Sequence, residues 1–111
     1  MQLSIMRSAP TSSDEPTTLQ LVGSIDLATR DTFLEAGEKC LAESPGGLRI
    51  DAGGVDFVDS VGISALIDLE QMARRKGIPF TITRQSPRLQ RVLTLVGLRA
   101  EDSGLLPQAA G

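Results

Sequence analysis

The stretch Val55–Leu69, reading VDFVDSVGISALIDL, constrains this chain more than any other. Apolar Val55, Phe57 and Val58 run into the acidic-hydroxyl pair Asp59-Ser60, and apolar residues resume at Val61 and Ile63. A strand-like approach with a helix-like exit puts that pair at the first turn of a helix, where backbone N–H groups lack intrahelical partners. Ser60 then presents its hydroxyl beside those amides, Gly62 leaves room around it, and Asp59 adds a carboxylate. Two readings are open. Ser60 caps the helix, as serines commonly do, or it is a hydroxyl displayed for regulation.

The flanking patterns supply the rest of a fold. Leu3 and Ile5 alternate with polar neighbours, as do Leu19 and Leu21, which reads as two strands joined by the polar, proline-bounded loop Pro10–Pro16. Gly23 permits a turn, Ile25 re-enters the core, and Asp26 precedes a helical pattern from about Ala28 to Glu43. Phe33, Gly37, Cys40 and Leu41 share one face of that helix, which stops at Ser44-Pro45-Gly46-Gly47. For Asp26, capping or compensation of the helix dipole stands beside a role in partner contact.

Leu48 to Asp51 is short, apolar and bounded by glycines, as a central strand is, and Ala52-Gly53-Gly54 reads as the link to the Ser60 turn. The helix after Ser60 is apolar nearly all round at its start, through Ile63, Ala65, Leu66, Ile67 and Leu69. Such a helix is wedged between other elements or keeps a face for a partner. It ends at Arg74-Arg75-Lys76-Gly77, cations on the negative end of the dipole followed by a glycine stop. Ile78–Thr83 reads as a strand with Pro79 at its start. Ser86-Pro87 reads as an N-cap and first helical residue, followed by an apolar stripe at Leu89, Val92, Leu93 and Val96. Arg99 to Gly111 lacks periodicity and is expected to be loosely ordered, with Leu105 and Leu106 its candidates for docking.

This order, strand–strand–helix–strand–helix–strand–helix, predicts one α/β domain over residues 1–111: a mixed β-sheet with helices mainly on one face and right-handed crossovers. The expected core is Leu21, Ile50, Phe57, Leu66, Leu69, Ile82, Leu89 and Leu93.

Several motifs, in order, resemble the STAS domain family, the fold of bacterial anti-anti-sigma factors. Leu48-Arg-Ile-Asp51 followed by Val55-Asp-Phe-Val-Asp59-Ser60-Val-Gly62 resembles the family's strand ending in Asp, its apolar-x-Phe-apolar step and its Asp-Ser-(Ser or Thr)-Gly helix opening. Leu21-Val-Gly23-Ser-Ile-Asp26 resembles its Gly-Glu-(Leu or Ile)-Asp turn, and Val92–Leu98 its helix ending in a Gly-Leu pair. The sequence departs from that pattern at Val61, where a second hydroxyl is usual, at Ser24, where an acid is usual, at Ala52-Gly53-Gly54, and in the tail after Leu98.

The resemblance implies an anti-sigma factor antagonist. Such a protein captures an anti-sigma factor, often also a serine kinase, while its serine is bare; phosphorylation switches it off and a phosphatase restores it. Carried onto this chain, the phosphoacceptor is Ser60 and the partner-binding residues are Asp26, Asp59, Ser60, Val61, Gly62 and Ser64. The alternatives are a non-enzymatic STAS accessory subunit docked on the ATPase of a lipid-transport ABC complex, and a degenerate STAS scaffold.

Composition narrows the function classes. A net charge of −3, with no His, Trp or Tyr and no basic block, argues against nucleic acid, whose binding leans on clustered cations and stacking aromatics. Cys40 is alone, which excludes an intramolecular disulfide and a Cys-only zinc site, and the missing histidines remove the usual metal ligands and acid–base groups. Carboxylates without such a partner are poor general bases near neutral pH. The glycine pairs Gly46-Gly47 and Gly53-Gly54 lack the lysine and spacing of a phosphate loop. No catalytic residue, cofactor or metal is therefore expected. No run approaches the roughly 18 apolar residues of a membrane span, and the N-terminus lacks a signal pattern, so membrane insertion is not expected and the cytoplasm is the expected location.

Overall fold

The computed structural model describes residues 2–8, 10, 12 and 14–95. The chain forms β1 (Leu3–Ser8), β2 (Thr17–Ile25), α1 (Arg30–Glu43), β3 (Leu48–Val58), α2 (Ser60–Lys76), β4 (Phe80–Gln85) and α3 (Pro87–Leu95), the order that the sequence patterns predict. The sheet runs β1-β2-β3-β4. β1 is antiparallel to β2, while β2, β3 and β4 are parallel. A loop suffices for the antiparallel pair, whereas each parallel pair needs a crossover, supplied by α1 and α2.

Alternation along the strands decides which face of the sheet is covered. Leu19 and Leu21 are buried while Val22 between β2's buried positions is exposed. Leu48 and Ile50 flank exposed Arg49, and Ile82 lies between exposed Thr81 and Thr83. The buried set joins Phe33, Leu34, Cys40 and Leu41 of α1, Ile63, Ala65, Leu66, Leu69 and Ala73 of α2, and Leu89 and Leu93 of α3 in one core. α1 and α2 approach closely at Gly37, where an added Cβ would lie 2.6 Å from both terminal methyls of Leu69. The apolar start of α2 is thus wedged between elements.

Seven of the eight expected core residues, Leu21, Ile50, Leu66, Leu69, Ile82, Leu89 and Leu93, are fully buried. Phe57 is the correction: it is only half-buried and does not join the core. The reason is register. β3 runs without a break through Ala52-Gly53-Gly54, which the sequence reading takes as a link, and its pairing with β2 shifts twice, between Gln20 and Val22 and between Gly23 and Ser24. An inserted residue reverses which alternate side chains face the core. After the second shift Phe57 sits opposite Ser24, while Ile25 and Val58 pair and are both buried.

The element ends follow local chemistry. α2 stops at Gly77, in the left-handed region at φ 69°, whose N–H donates to the carbonyls of Ala73 and Arg74. α3 is capped by Ser86, whose hydroxyl accepts from the Leu89 N–H at 3.1 Å. α1 begins at Arg30, two residues after the expected start, because Ala28 and Thr29 belong to a tight turn; β4 likewise leaves Pro79 outside the strand. Cys40 is buried in the core, and that burial pushes its thiol up, more than nearby Arg7 pulls it down, so it stays protonated and unreactive. Val96, the Gly97-Leu98 pair and the tail Arg99–Gly111 with Leu105 and Leu106 lie outside the described residues.

On the open sheet face an ion pair joins β3 to β4, with Arg84 Nε 3.1 Å from Asp51 Oδ1. Burial alone would raise the Asp51 carboxyl, but the Arg84 hydrogen bond, the Gly53 N–H and the Arg84 charge together hold it below its ordinary value. A carboxyl lowered on folding stabilises the fold above its unfolded pKa, about 3.9, and that stability is lost as pH falls through the lower folded value. Arg84→Gln is therefore expected to lower the urea midpoint modestly at pH 7. The difference from wild type should vanish in acid, once Asp51 is protonated in both; a deficit that persists there would assign the loss to packing.

Candidate functional site

Asp59 and Ser60 stand where β3 gives way to α2. The backbone of Asp59 is extended, and its Oδ1 accepts from the Gly62 N–H at 2.8 Å. Asp59 is therefore the N-cap, a role that satisfies one of the helix's unpaired donors. Ser60 is the first helical residue and is exposed. Its hydroxyl makes no hydrogen bond among the described residues. The capping alternative for Ser60 thus passes to its neighbour, one position upstream, because an extended Asp places its carboxylate directly under the amide three residues on.

The next residues divide by helical period. Gly62 and Ile63 are buried, Val61 is half-buried, and Ser64 is exposed one turn beyond Ser60. Gly62 is pressed on the end of β2: an added Cβ would lie 2.0 Å from the Ile25 carbonyl oxygen. The Asp59 N–H also reaches that oxygen, at 3.4 Å. These contacts bring the turn after β2 beside the start of α2, at the C-terminal edge of the parallel strands, where open α/β sheets commonly place their sites.

Asp26 belongs to that turn, but its carboxylate is committed. It is 7% exposed. Its Oδ1 accepts from the Thr29 N–H at 3.1 Å, and its own N–H donates to Thr29 Oγ1 at 3.0 Å. The Thr29 hydroxyl donates to the Ser24 carbonyl at 2.8 Å. Asp26 therefore shapes the turn through Oδ1 and is largely withdrawn from solvent. Of the candidate residues, Asp59, Ser60, Val61 and Ser64 meet solvent at least in part, while Gly62 and Asp26 support them from beneath.

The turn also displays a residue that the sequence reading passes over. Leu27 is 74% exposed. The available signal is a leucine between the site aspartate and the helix start, outside the α1 stripe. Across the same surface Arg30 of α1 pairs with Asp31 at 3.0 Å and reaches Asp68 of α2 at 3.8 Å.

A groove of about 540 Å³ lies elsewhere, between Gly53–Asp56 of β3 and Ser86, Pro87, Arg88 and Arg91, and it includes none of the candidate residues. Among the described residues no group of three or more His, Cys, Asp or Glu is placed to hold a metal ion, and no helix is long and apolar enough to cross a membrane.

A family model described as "Mlab, STAS domain" matches residues 8–107. The chain belongs to the STAS family. No curated protein sequence matches significantly. Among solved structures the STAS domain is similar to an anti-sigma factor antagonist from Mycobacterium paratuberculosis, at 23% identity and a TM-score of 0.73, over 98% of this chain and 89% of that one. It is also similar to the anti-sigma factor antagonist SpoIIAA in its unphosphorylated form, at 14% identity and a TM-score of 0.70, over 86% of this chain and 82% of that one. The phosphorylated form of the Bacillus cell fate determinant SpoIIAA matches at 14% identity and a TM-score of 0.66, over 86% and 85% of the two chains. At these identities the likeness establishes a shared fold, the SpoIIAA-like α/β architecture.

Proposed function

We propose that this STAS domain is a non-enzymatic anti-sigma factor antagonist acting in the cytoplasm. In this reading it binds an anti-sigma factor that is also a serine kinase, phosphorylation of Ser60 releases that partner, and a phosphatase resets the switch. The observation that carries the reading is the state of Ser60, an exposed hydroxyl at a helix start whose capping duty is discharged by Asp59. SpoIIAA, solved with this fold in both phosphorylated and unphosphorylated forms, supports the compatibility of such a modification with the architecture.

The physics is that of a charge placed at a contact. A phosphate adds about −1.5 to −2 charges, and the positive end of the α2 dipole accommodates them, so the fold persists. A negative group of the partner about 6 Å away is then repelled by roughly 1 to 5 kcal/mol, depending on the local dielectric. Because each 1.4 kcal/mol is about tenfold in affinity, charge alone suffices to release the partner without refolding.

The test is phosphopeptide mapping after incubation with each anti-sigma serine kinase of the source organism, paired with binding measurements. Label is expected on Ser60. Ser60→Ala should bind yet resist labelling, and its stability should stay within about 0.5 kcal/mol of wild type, because no cap is lost. Ser60→Asp should weaken binding, by less than a true phosphate does, since it carries a single charge. Label on Ser64 or a loop threonine with Ser60 unmodified would overturn the assignment. So would recovery of a transporter ATPase as the stable partner, the outcome that an accessory subunit of an ABC complex requires.

A further inference from the structure

Among the described residues three large apolar side chains are prominently exposed: Met6 at 66%, Val22 at 50% and Leu27 at 74%. Met6 and Val22 belong to β1 and β2, opposite or beside polar Ser4 and Gln20 in the open-face register. Leu27 differs in place and in support. It projects from a turn whose flanking residues are buried, Asp26 at 7% and Thr29 at 6%. The turn is tied by the Asp26–Thr29 and Thr29–Ser24 hydrogen bonds, and it abuts the start of α2 through the Ile25 carbonyl and Gly62. Exposed Ala28 and half-buried Val61 extend the apolar character on either side of this junction.

We infer that Leu27 is the apolar anchor of the surface centred on Ser60, seating in an apolar pocket of the same anti-sigma kinase; this rests on the function proposed above. The division of labour follows from the chemistry of the two residues. A leucine on a rigid turn gives up little conformational freedom on binding and removes apolar area from water, so it supplies affinity. Ser60 supplies little area, and its phosphorylation adds a charge, so it supplies control. The two contributions differ in their response to salt. Apolar burial persists in salt, whereas a charge effect is screened as the Debye length falls from about 10 Å at 0.1 M to about 3 Å at 1 M.

The experiment measures dissociation constants for the purified anti-sigma kinase that labels this chain, with no phosphate donor added, at both salt concentrations. The variants are Leu27→Ala, Leu27→Met, Ser60→Asp and Met6→Ala, each checked by thermal melting. Leu27→Ala is expected to weaken binding about ten- to a hundredfold, and to the same extent at both salt concentrations. Leu27→Met should restore most of the affinity, and Met6→Ala should change nothing. The effect of Ser60→Asp should shrink at high salt. If Leu27→Ala binds within about twofold of wild type while Ser60→Asp is weak, the anchor is refuted and the switch stands. If Leu27→Ala is weak while Ser60→Asp binds normally, the anchor stands and the switch falls. If no anti-sigma kinase binds or labels the wild-type chain, both fall.

Discussion

Leu66→Ala is expected to cost about 2–5 kcal/mol of unfolding free energy, because truncating a fully buried leucine loses both its transfer energy and the contacts around the cavity. The site cannot easily collapse. Leu66 sits on the face of α2 that joins the core, with Ala65 and Leu69 beside it, both fully buried, and the strands beneath. For a domain of this size the whole stability is about 5–15 kcal/mol, so the variant should unfold at markedly lower denaturant. Urea titration checks it. An unchanged midpoint would mean that α2 does not pack as described.

Gly62→Ala is the second large effect, and its sign is the point of interest. In an exposed helix interior alanine is more favourable than glycine by about 1 kcal/mol. Here the new methyl would lie 2.0 Å from the Ile25 carbonyl oxygen and 2.9 Å from a Val58 methyl. A backbone carbonyl has no rotamer to escape into, so either α2 or the end of β2 must move, and overpacking of this kind costs about 1–3 kcal/mol or more. The net change should be destabilising despite the better helix former. The displacement also separates Ser60 from the Asp26–Thr29 turn, so, under the function proposed above, partner affinity and labelling of Ser60 should fall together. A stability equal to or above wild type would show that the junction has slack and that Gly62 is not what holds the two segments together.

The junction shows how far the residues of this chain could be read without coordinates. Helix periodicity in α1 and α2, strand alternation in β2, and the Ser86-Pro87 and Arg-Arg-Lys-Gly boundaries are local properties, written in side-chain chemistry within a few residues of each other. Ser60 was legible for the same reason, as a hydroxyl between an aspartate and a glycine at a change from strand to helix. Its neighbour's role was not. Whether Asp59 or Ser60 caps α2 depends on a backbone angle set by how β3 ends against Ile25, and that contact spans more than thirty residues of sequence.

Asp26 and Phe57 make the same distinction from opposite directions. In the sequence Asp26 is open to capping or to partner contact; in the fold its Oδ1 is bound to Thr29 and its neighbour Leu27 is the exposed residue of the turn. Phe57 is a large apolar side chain in a strand, and two register shifts against β2 take it out of the core. Neither shift has a signature in local alternation, because register is a property of two strands and of the crossover between them. The sequence by itself determined the order of elements, the apolar face of the sheet and the place of the Asp59-Ser60 pair at the change from strand to helix. Tertiary structure alone decided whether Asp59 or Ser60 caps, which leucine faces solvent and why a side chain at Gly62 would meet backbone, because each depends on where the end of one strand meets the start of another element.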